Sequence, residues 1–292
     1  MSKNNKISLE IAASTLPAMP SFQPGSVWLV GAGPGDPGLL SLLAFHALGA
    51  ADDIVYDALV GEDILALAGA NVDLHYAGKR GGKPSAKQGD ISDKLINLAR
   101  AGRKVLRLKG GDPFIFGRGG EEALALAAAG VPFRLVPGIT AAVAGLAYAG
   151  IPITDRRVNS AVTFITGHES GGGPPAGLDW PALASGAPVL ILYMALRHLA
   201  WMAERLVEAG RSADTSVILI SKATLAGQQI VETSLERAAE DAAAANLEAP
   251  AIIAIGDVVG LRAALDPSAT PESRARAALK FLATRAIEET AP

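Results

Sequence analysis

Apolar positions along the first half of the chain alternate between short runs and longer segments with helical spacing. The short runs predict strands at residues 27–30, 54–56, 73–76, 104–108 and 133–136. The longer segments predict helices at residues 39–50, 62–68, 90–101, 121–129 and 140–149. This alternation of strand and helix favours a parallel sheet with helices on both faces.

The pattern changes after about residue 150. Strands are predicted at residues 161–166, 188–193, 216–222, 229–233 and 250–255, and helices at 196–209, 235–245 and 258–265. Two strand candidates lie only a few residues apart within 221–232, so part of this sheet is expected to be antiparallel. The expected fold class is α/β. A flexible extension (1–24) precedes an N-terminal α/β domain (25–150), a C-terminal α/β domain (151–266) and a helix-prone tail (267–292).

Composition narrows the functional classes. The chain has 292 residues, enough for two domains with proper cores, and the longest apolar run, 189–196, is too short to span a bilayer. The first residues lack the continuous apolar stretch of a signal peptide, so a cytoplasmic location is expected. The absence of cysteine excludes disulfides and thiolate chemistry, and the four scattered histidines predict no metal site. A net charge of -3 with 5% aromatic residues argues against a nucleic-acid surface.

A long glycine-rich loop follows the predicted strand 104–108, with the sequence R-L-K-G-G-D-P-F-I-F-G-R-G-G-E-E over residues 107–122. Connections between a strand and a helix usually need about 2–6 residues, so a loop of this length suggests a ligand site. Gly110 and Gly111 allow close approach of backbone to a ligand, and Asp112 adds an anionic acceptor. Open α/β sheets bind their ligands at this end of the strands.

A second glycine-rich loop, G-A-G-P-G-D-P-G over residues 31–38, follows the first predicted strand. It fails the dinucleotide-binding pattern, because Asp36 stands where the third glycine is required. Pro34 and Pro37 also lack the backbone N–H groups that a pyrophosphate would use. The loop therefore favours a ligand without a polyphosphate.

Six segments in order carry a family resemblance. They are G-A-G-P-G-D-P-G-L-L (31–40), Y-D-A-L-V (56–60), A-G-K-R-G-G-K-P (77–84), the loop 107–122, V-P-G-I-T-A (136–141) and A-G-I-P-I-T (149–154). Together they resemble the tetrapyrrole methylases over about residues 25–266, most closely up to about residue 168. Within that family, G-K-R-G-G-K-P and F-G-R-G-G-E-E are similar to the enzymes that methylate uroporphyrinogen III rather than to later corrin-ring methylases or diphthine synthases.

The resemblance implies a fold, a partner and a reaction. It implies two αβα domains with the active site in a cleft between them, and a homodimer. The reaction would be two successive methylations of uroporphyrinogen III by S-adenosyl-L-methionine, through precorrin-1 to precorrin-2, with S-adenosyl-L-homocysteine released. Precorrin-2 would feed cobalamin or sirohaem biosynthesis. Because the extension before residue 25 is short, we expect the monofunctional form without a dehydrogenase/chelatase domain.

The resemblance also assigns residues. Asp57 matches the family's proposed proton acceptor and Lys79 its proposed proton donor. Contacts with the methyl donor carry over to Pro34, Gly110, Gly111, Asp112, Ile115, Thr140, Ala141, Met194, Ala223 and Ala251. The substrate carries eight carboxylates, so basic residues in predicted loops are candidate anchors: Arg80, Lys83, Arg118 and Arg156, with Lys87, Arg107, Lys109 and Arg157 as further candidates. The chain departs from the family at Ala223, where glycine is common, and at Asp155, where histidine is frequent.

Three alternatives stay open at this point. The nearest is a methylase of a later corrin precursor. A nicotinamide-dependent oxidoreductase belongs to a different class and is disfavoured by Asp36. A tetrapyrrole-binding module without catalysis would not need the pair Asp57 and Lys79 beside a donor loop.

Overall fold

The computed structural model describes residues 18–78, 88–169 and 171–290. These residues form two compact units. The first comprises the described part of Met1–Ala32 together with Pro37–Gly138, and the second comprises Gly33–Asp36 with the described part of Ile139–Pro292. The division thus falls at Gly138, whereas the sequence analysis placed it at residue 150, because the helix that follows Thr140 makes its contacts within the second unit.

The first unit contains a five-stranded sheet in which every pair of neighbouring strands is parallel, as predicted. Its strands are β1 (Ser26–Gly31), β2 (Asp53–Tyr56), β3 (Asp73–Tyr76), β4 (Lys104–Lys109) and β5 (Phe133–Val136), in the order β3-β2-β4-β1-β5. Its helices are α1 (Leu42–Ala50), α2 (Glu62–Leu65), α3 (Gln88–Arg100) and α4 (Gly119–Ala128).

Alternate residues of β1 face two different apolar clusters. Trp28 and Val30 pack with Leu48 of α1, whereas Val27 and Leu29 pack with residues of α3 and α4. All six residues of β1 are buried, because helices cover both faces of the sheet. Since the strands are parallel, the loops that follow Gly31, Tyr56, Lys109 and Val136 emerge at one edge of the sheet, where this class of fold places its ligands.

The second unit contains a mixed five-stranded sheet in the order β6-β7-β10-β8-β9. Its strands are β6 (Thr163–Thr166), β7 (Leu190–Tyr193), β8 (Ser216–Ser221), β9 (Gln229–Ser234) and β10 (Ala251–Ile255). Only β6 and β7 are parallel, and β8 and β9 form the antiparallel pair that their short separation predicted. Its helices are α5 (Ala141–Tyr148), α6 (Trp180–Gly186), α7 (Leu199–Glu208), α8 (Ala238–Ala244), α9 (Arg262–Leu265) and α10 (Pro271–Thr290).

Several helices differ from the sequence prediction. The predicted helices 196–209 and 258–265 begin as 3-10 segments, Leu196–His198 and Asp257–Leu261, ahead of α7 and α9. The segment 39–50 is divided into a 3-10 turn, Pro37–Leu39, and α1, because the Ser41 hydroxyl accepts a hydrogen bond from the Ala44 N–H (3.1 Å) and starts a new helix. Helix α6 was missed. Asp179 caps it by accepting from the Ala182 N–H at 3.1 Å, and a proline lies in its first turn, so the start signal was present in the sequence.

Across residues 18–78, 88–169 and 171–290, no helix combines the length and apolarity needed to cross a membrane.

Candidate active site

Three loops of the first unit meet on glycines at the carboxyl edge of the sheet. A Cβ atom on Gly138, after β5, would lie 2.2 Å from the Gly111 carbonyl oxygen and 2.7 Å from the Gly31 Cα. A Cβ on Gly31, at the end of β1, would lie 2.5 Å from the same oxygen. Gly111 adopts a φ of 66°, which glycine tolerates far better than other residues. The absence of side chains at these glycines therefore lets the backbones of the three loops come into contact, so main-chain atoms line the surface here.

The Asp112 carboxylate ties two of these loops together. Its Oδ1 accepts a hydrogen bond from the Phe114 N–H (2.8 Å), and its Oδ2 accepts one from the Gly138 N–H (3.0 Å). Asp112 is half-buried, and each carboxylate oxygen retains capacity for a further bond. Asp112, which is predicted to contact the donor, therefore also fixes the shape of the glycine-rich loop to which it belongs.

Asp57 lies immediately after β2 and is bonded to the same glycine loop. Its Oδ1 accepts from the N–H groups of Leu59 (3.1 Å) and Gly110 (3.4 Å). Its Oδ2 lies 4.0 Å from Nη2 of Arg107, and 24% of the side chain is exposed. A carboxylate with this exposure can be reached by a ligand while its orientation stays fixed by backbone donors.

Arg107 and Lys109 were predicted as candidate anchors for substrate carboxylates, and for these two residues the prediction is wrong. Both are buried, with 3% and 4% of their surface exposed. Arg107 Nε and Lys109 Nζ donate to the same oxygen, Oε1 of Glu122 in α4, at 3.1 and 3.2 Å. The reason is strand alternation: residues 105, 107 and 109 of β4 share a face, and Val105 on that face contacts the cluster that includes α4.

Burial affects the ionisation of Lys109. Removal from water lowers the pKa of the Lys109 ammonium, and the neighbouring Arg107 charge lowers it further, against the opposing effect of Glu122 and Asp57. The Arg107 guanidinium is fixed in position, because its Nη1 donates to the carbonyls of Val55 and Leu108, each at 3.2 Å.

The rest of the glycine-rich loop presents apolar and basic groups. Phe114 and Phe116 are 53% and 40% exposed, and Ile115 between them is half-buried. The exposed Arg118 guanidinium donates twice to Glu121, at 2.9 and 2.7 Å, and these bonds lower the pKa of the Glu121 carboxyl. Part of the Arg118 charge is therefore already balanced.

The second unit holds the other predicted donor contacts, starting with the loop around Pro34. The Asp36 N–H donates to the Thr224 hydroxyl (3.2 Å), and Asp36 Oδ2 accepts from the Tyr148 hydroxyl (2.6 Å). The bond to Asp36 raises the pKa of Tyr148. A Cβ on Gly35 would lie 2.6 Å from Cδ2 of Leu225. Pro34 is thus held beside the turn that contains Ala223.

Thr140 and Met194 are brought together through Tyr193. The Thr140 hydroxyl lies 2.7 Å from the Tyr193 hydroxyl, and Ala141 begins α5 immediately afterwards. Met194 follows Tyr193, is 46% exposed and has a φ of 54°. On sequence alone Met194 reads as a core residue, and only the structure reveals its exposure.

Ala223 and Ala251 lie at the same end of the second sheet. Ala251 pairs with Ser221 across β10 and β8, and the Lys222 N–H donates to the Pro250 carbonyl at 2.9 Å. The Ala223 methyl is buried and lies 3.0 Å from the position of a Cβ on Gly145. The alanine that departs from the family pattern is therefore accommodated by a glycine on α5.

Unfavourable backbone conformations concentrate in these loops. Six non-glycine residues in the described ranges have positive φ, and five of them lie in the candidate loops: Phe116, Arg118, Met194, Lys222 and Thr224. Such conformations cost about 1–3 kcal/mol each and cluster at functional sites in proteins. No sequence pattern here signals them.

The remaining basic candidates differ in their surroundings. Arg157 donates to Asp155 from its backbone N–H and from Nε and Nη2, at 3.0, 2.9 and 2.7 Å, and these bonds lower the pKa of Asp155 to about 2. The aspartate that replaces the family's histidine thus balances Arg157, and Arg156 is exposed. Lys79, Arg80, Lys83 and Lys87 lie outside the described residues.

Comparison with known proteins agrees with this arrangement. The chain is 58% identical over 263 residues to the uroporphyrinogen-III C-methyltransferase of a Sinorhizobium species, which is 90% of this chain and 94% of that enzyme. It is 48% identical over 237 residues to the siroheme synthase of Sodalis glossinidius, and it spans about half of that protein, covering 50% of its length. The crystal structure of the Thermus thermophilus uroporphyrin-III C-methyl transferase, complexed with S-adenyl homocysteine, superposes with a TM-score of 0.70 and 38% identity, covering 80% of this chain and 98% of that one.

The sequence profile of the tetrapyrrole (corrin/porphyrin) methylases matches residues 26–239, which is well over half of the chain. That range includes both sheets except β10 and most of the candidate loops. The chain belongs to the tetrapyrrole methylase family.

Proposed function

We propose that this protein is a uroporphyrinogen-III C-methyltransferase, which uses S-adenosyl-L-methionine to methylate uroporphyrinogen III twice and yields precorrin-2. The observation that carries the proposal is 58% identity to an enzyme of that name over 94% of its length. Siroheme synthases match at lower identity, which supports a place for the product on the route to sirohaem, and cobalamin is the second route that the resemblance implies.

The loops of this chain fit a donor that carries no phosphate. Pro34 lacks a backbone N–H, and Asp36, whose carboxylate accepts from Tyr148, adds negative charge to the same loop. The main-chain surface around Gly110 and Gly111 instead admits close contact with a flat or narrow group. The resemblance assigns the donor contacts to the glycine loop and Ile115, and to Pro34, Thr140, Ala141, Met194, Ala223 and Ala251. When bound, the donor supplies a methyl group that a pyrrole carbon can attack.

Asp57 is our candidate for removing the proton that the macrocycle loses after methylation. Its Oδ1 is bonded to the N–H groups of Leu59 and Gly110, and no backbone N–H of the described residues donates to Oδ2. A carboxylate oriented by two backbone donors keeps one oxygen available to accept a proton. Because the Gly110 N–H bonds to Asp57, the group that takes the proton is connected directly to the loop proposed to hold the donor. Lys79 stays the predicted proton donor.

Basic residues supply the recognition of substrate carboxylates. Arg156 is exposed, and Arg118 is exposed but shares its charge with Glu121. Charge-assisted hydrogen bonds contribute about 1.5–3 kcal/mol each, so a few suffice for micromolar binding after entropic costs. Arg80 and Lys83 stay predicted members of this set.

The direct test is an assay with uroporphyrinogen III and labelled S-adenosyl-L-methionine, followed by absorption spectra of the product. We expect two methyl groups per macrocycle and the spectrum of a dimethylated product. Transfer to a later corrin precursor but not to uroporphyrinogen III would support the nearest alternative. A thermal-shift comparison tests the alternative of a nicotinamide-dependent oxidoreductase, because S-adenosyl-L-homocysteine should stabilise the protein and NAD should not. A ligand present at 100 times its Kd adds about 2.7 kcal/mol to the free energy of unfolding.

Homodimerisation and a cytoplasmic location belong to the proposal as predictions of the resemblance. An edge strand gives some support to self-association: β5 ends the first sheet and exposes Phe133 and Leu135 by 38% and 39%. Sedimentation equilibrium at micromolar concentration should give twice the chain mass of 29.8 kDa, and the mass of a single chain would refute the dimer.

A further inference from the structure

The connection between α5 and β6 carries two neighbouring arginines, Arg156 and Arg157, and we name residues 151–159 the arginine loop. The loop is built around Asn159, of which 6% is exposed. Asn159 Oδ1 accepts from the Asp155 N–H at 3.1 Å, and its Nδ2 donates to two nearby carbonyls at 3.0 and 3.1 Å. The backbone of the arginine loop therefore has a defined conformation, which fixes the positions from which the two arginine side chains extend.

The two arginines have different surroundings. Arg157 donates three hydrogen bonds to the Asp155 carboxylate, and its Cζ lies over the ring of Phe281, 5.8 Å from the ring centroid. Phe281 belongs to α10, the C-terminal helix. Arg156 is exposed. The arginine loop thus meets the C-terminal helix through Arg157, whereas its other arginine stays accessible to a ligand.

A second contact joins the start of the arginine loop to the segment that leads into α10. A Cβ atom on Gly150 would lie 2.7 Å from the Leu265 carbonyl oxygen and 2.8 Å from the Asp266 Cα, so the two backbones touch here. Gly150 has a φ of 74°, which glycine tolerates well. The C-terminal segment therefore contacts this region at two points, Gly150 and Arg157, and both contacts lie inside the second unit.

Phe281 is the large side chain that its turn of α10 directs towards the protein. It is half-buried, whereas Leu279 and Leu282 are 70% and 45% exposed. A guanidinium over an aromatic ring is a favourable contact, because the face of the ring carries partial negative charge. Helix α10 lies beyond residue 239, where the match to the family profile ends, so that match assigns the helix no role.

We propose that Phe281 is a positioning residue, which acts through Arg157 to hold the arginine loop in the conformation that exposes Arg156 to substrate carboxylates. Asp155, at which the chain departs from the family pattern, fixes the Arg157 guanidinium for this contact. The importance of the contact for turnover rests on the proposed function, in which Arg156 binds the substrate.

The contact sets the size of the expected effect. An interaction can shift the balance between an ordered and an open loop by no more than its own free energy. Phe281→Leu keeps an apolar side chain and removes the ring, so the open state of the arginine loop should become about two- to fivefold more populated, which corresponds to about 0.5–1 kcal/mol. Phe281→Tyr keeps the ring and should behave as the parent protein. Leu279→Ala shortens a neighbouring exposed side chain of α10 and is the matched control.

Hydrogen exchange measured by mass spectrometry in the full-length protein reports this opening. The N–H groups of Val158 and Asn159 donate to the Asp155 carbonyl at 2.7 and 2.8 Å, so their exchange requires the turn to open. Phe281→Leu should raise exchange in a peptide that covers the arginine loop by about two- to fivefold, and leave a peptide that covers β8 unchanged. Unchanged exchange of the loop in Phe281→Leu, or an equal rise in Phe281→Tyr or Leu279→Ala, would overturn the proposal.

A double-mutant cycle tests whether the effect passes through Arg157. Arg157→Gln removes the cation from the ring, so Phe281→Leu should cause no further rise in loop exchange in that background. A further rise as large as that in the parent protein would overturn the link through Arg157. Phe281→Met repeats the design with a second side chain, and circular dichroism checks that each variant is folded.

Steady-state kinetics separate this inference from the proposed function. Phe281→Leu should raise KM for uroporphyrinogen III by up to about fivefold, with kcat and the calorimetric affinity for S-adenosyl-L-homocysteine unchanged. If loop exchange rises and KM does not, Phe281 holds the arginine loop as proposed, and it is the assignment of Arg156 as a substrate anchor that fails. Unchanged loop exchange overturns the inference whatever the kinetics show.

Discussion

Replacing Asp112 by alanine should lower both the stability of the protein and its affinity for the donor product. The change removes the acceptor of two backbone N–H groups, those of Phe114 and Gly138. Hydrogen bonds to an ionised group contribute about 1.5–3 kcal/mol each when shielded from water. Asp112 is half-buried and Phe114 is exposed, so each bond belongs at the low end of that range, and the free energy of unfolding should fall by about 3 kcal/mol.

The assay pairs urea unfolding with calorimetric titration of S-adenosyl-L-homocysteine. We expect the affinity to fall by more than tenfold, which corresponds to about 1.4 kcal/mol. Asp112→Asn retains one carbonyl oxygen and should lose about half as much stability, since it can satisfy only one of the two donors in the same geometry.

A matched control is Asp179→Ala, which also removes a carboxylate that accepts from a backbone N–H, at the start of α6. It should cost about 1 kcal/mol of stability and leave the affinity unchanged. A loss of stability without a loss of affinity in Asp112→Ala would restrict Asp112 to holding the loop. Unchanged values of both quantities would refute the geometry from which this prediction is derived.

The remaining predictions address the glycine contact, proton transfer and pH. Gly138→Ala should lower stability by about 1–3 kcal/mol, because the new methyl meets the Gly111 oxygen at 2.2 Å; Gly120→Ala, where a Cβ meets nothing within 4 Å, is the control and should be neutral or slightly stabilising in the same unfolding assay. Asp57→Asn should lower initial rates by about 10²–10⁴-fold while donor affinity measured by calorimetry changes little, and near-normal rates would exclude Asp57 as the proton acceptor. Burial alone would raise the pKa of Asp53, but bonds from Arg103 and His75 outweigh it and hold the pKa below its ordinary value. The ionised form therefore stabilises the fold above about pH 4, and this contribution is lost as the pH falls through the lowered native pKa; Asp53→Asn should be destabilised in urea at neutral pH, with a gap from the parent protein that narrows in acid.

Local pattern was enough to predict most of the secondary structure. The predicted strands 73–76 and 133–136 coincide with β3 and β5, because each is a short segment in which a polar residue separates apolar ones, which is the spacing of a strand. The short gap between β8 and β9 also determines their antiparallel pairing. Helix α6 was missed although its cap signal was present, since its seven residues are too few to show a clear period.

The candidate site was predicted in part. The glycine loop and Asp57 follow strands, and the parallel order of the sheet brings their loops to one edge, so their hydrogen bond agrees with the sequence argument. The assignments of Arg107 and Lys109 were wrong, because a charged residue in sequence is expected at the surface unless a buried partner is known. That partner, Glu122, follows them by 15 and 13 positions.

By itself the sequence determined the class of fold, the family and the identity of the loops that carry chemistry, because apolar period, turn residues and ordered motifs are properties of short segments. Tertiary structure alone decided which side chain each charge meets. Glu122 pairs with two buried cations, and Gly145 makes room for the methyl of Ala223. These outcomes depend on which faces of which elements are in contact, and only the folded chain brings residues so far apart in sequence to within a few ångströms.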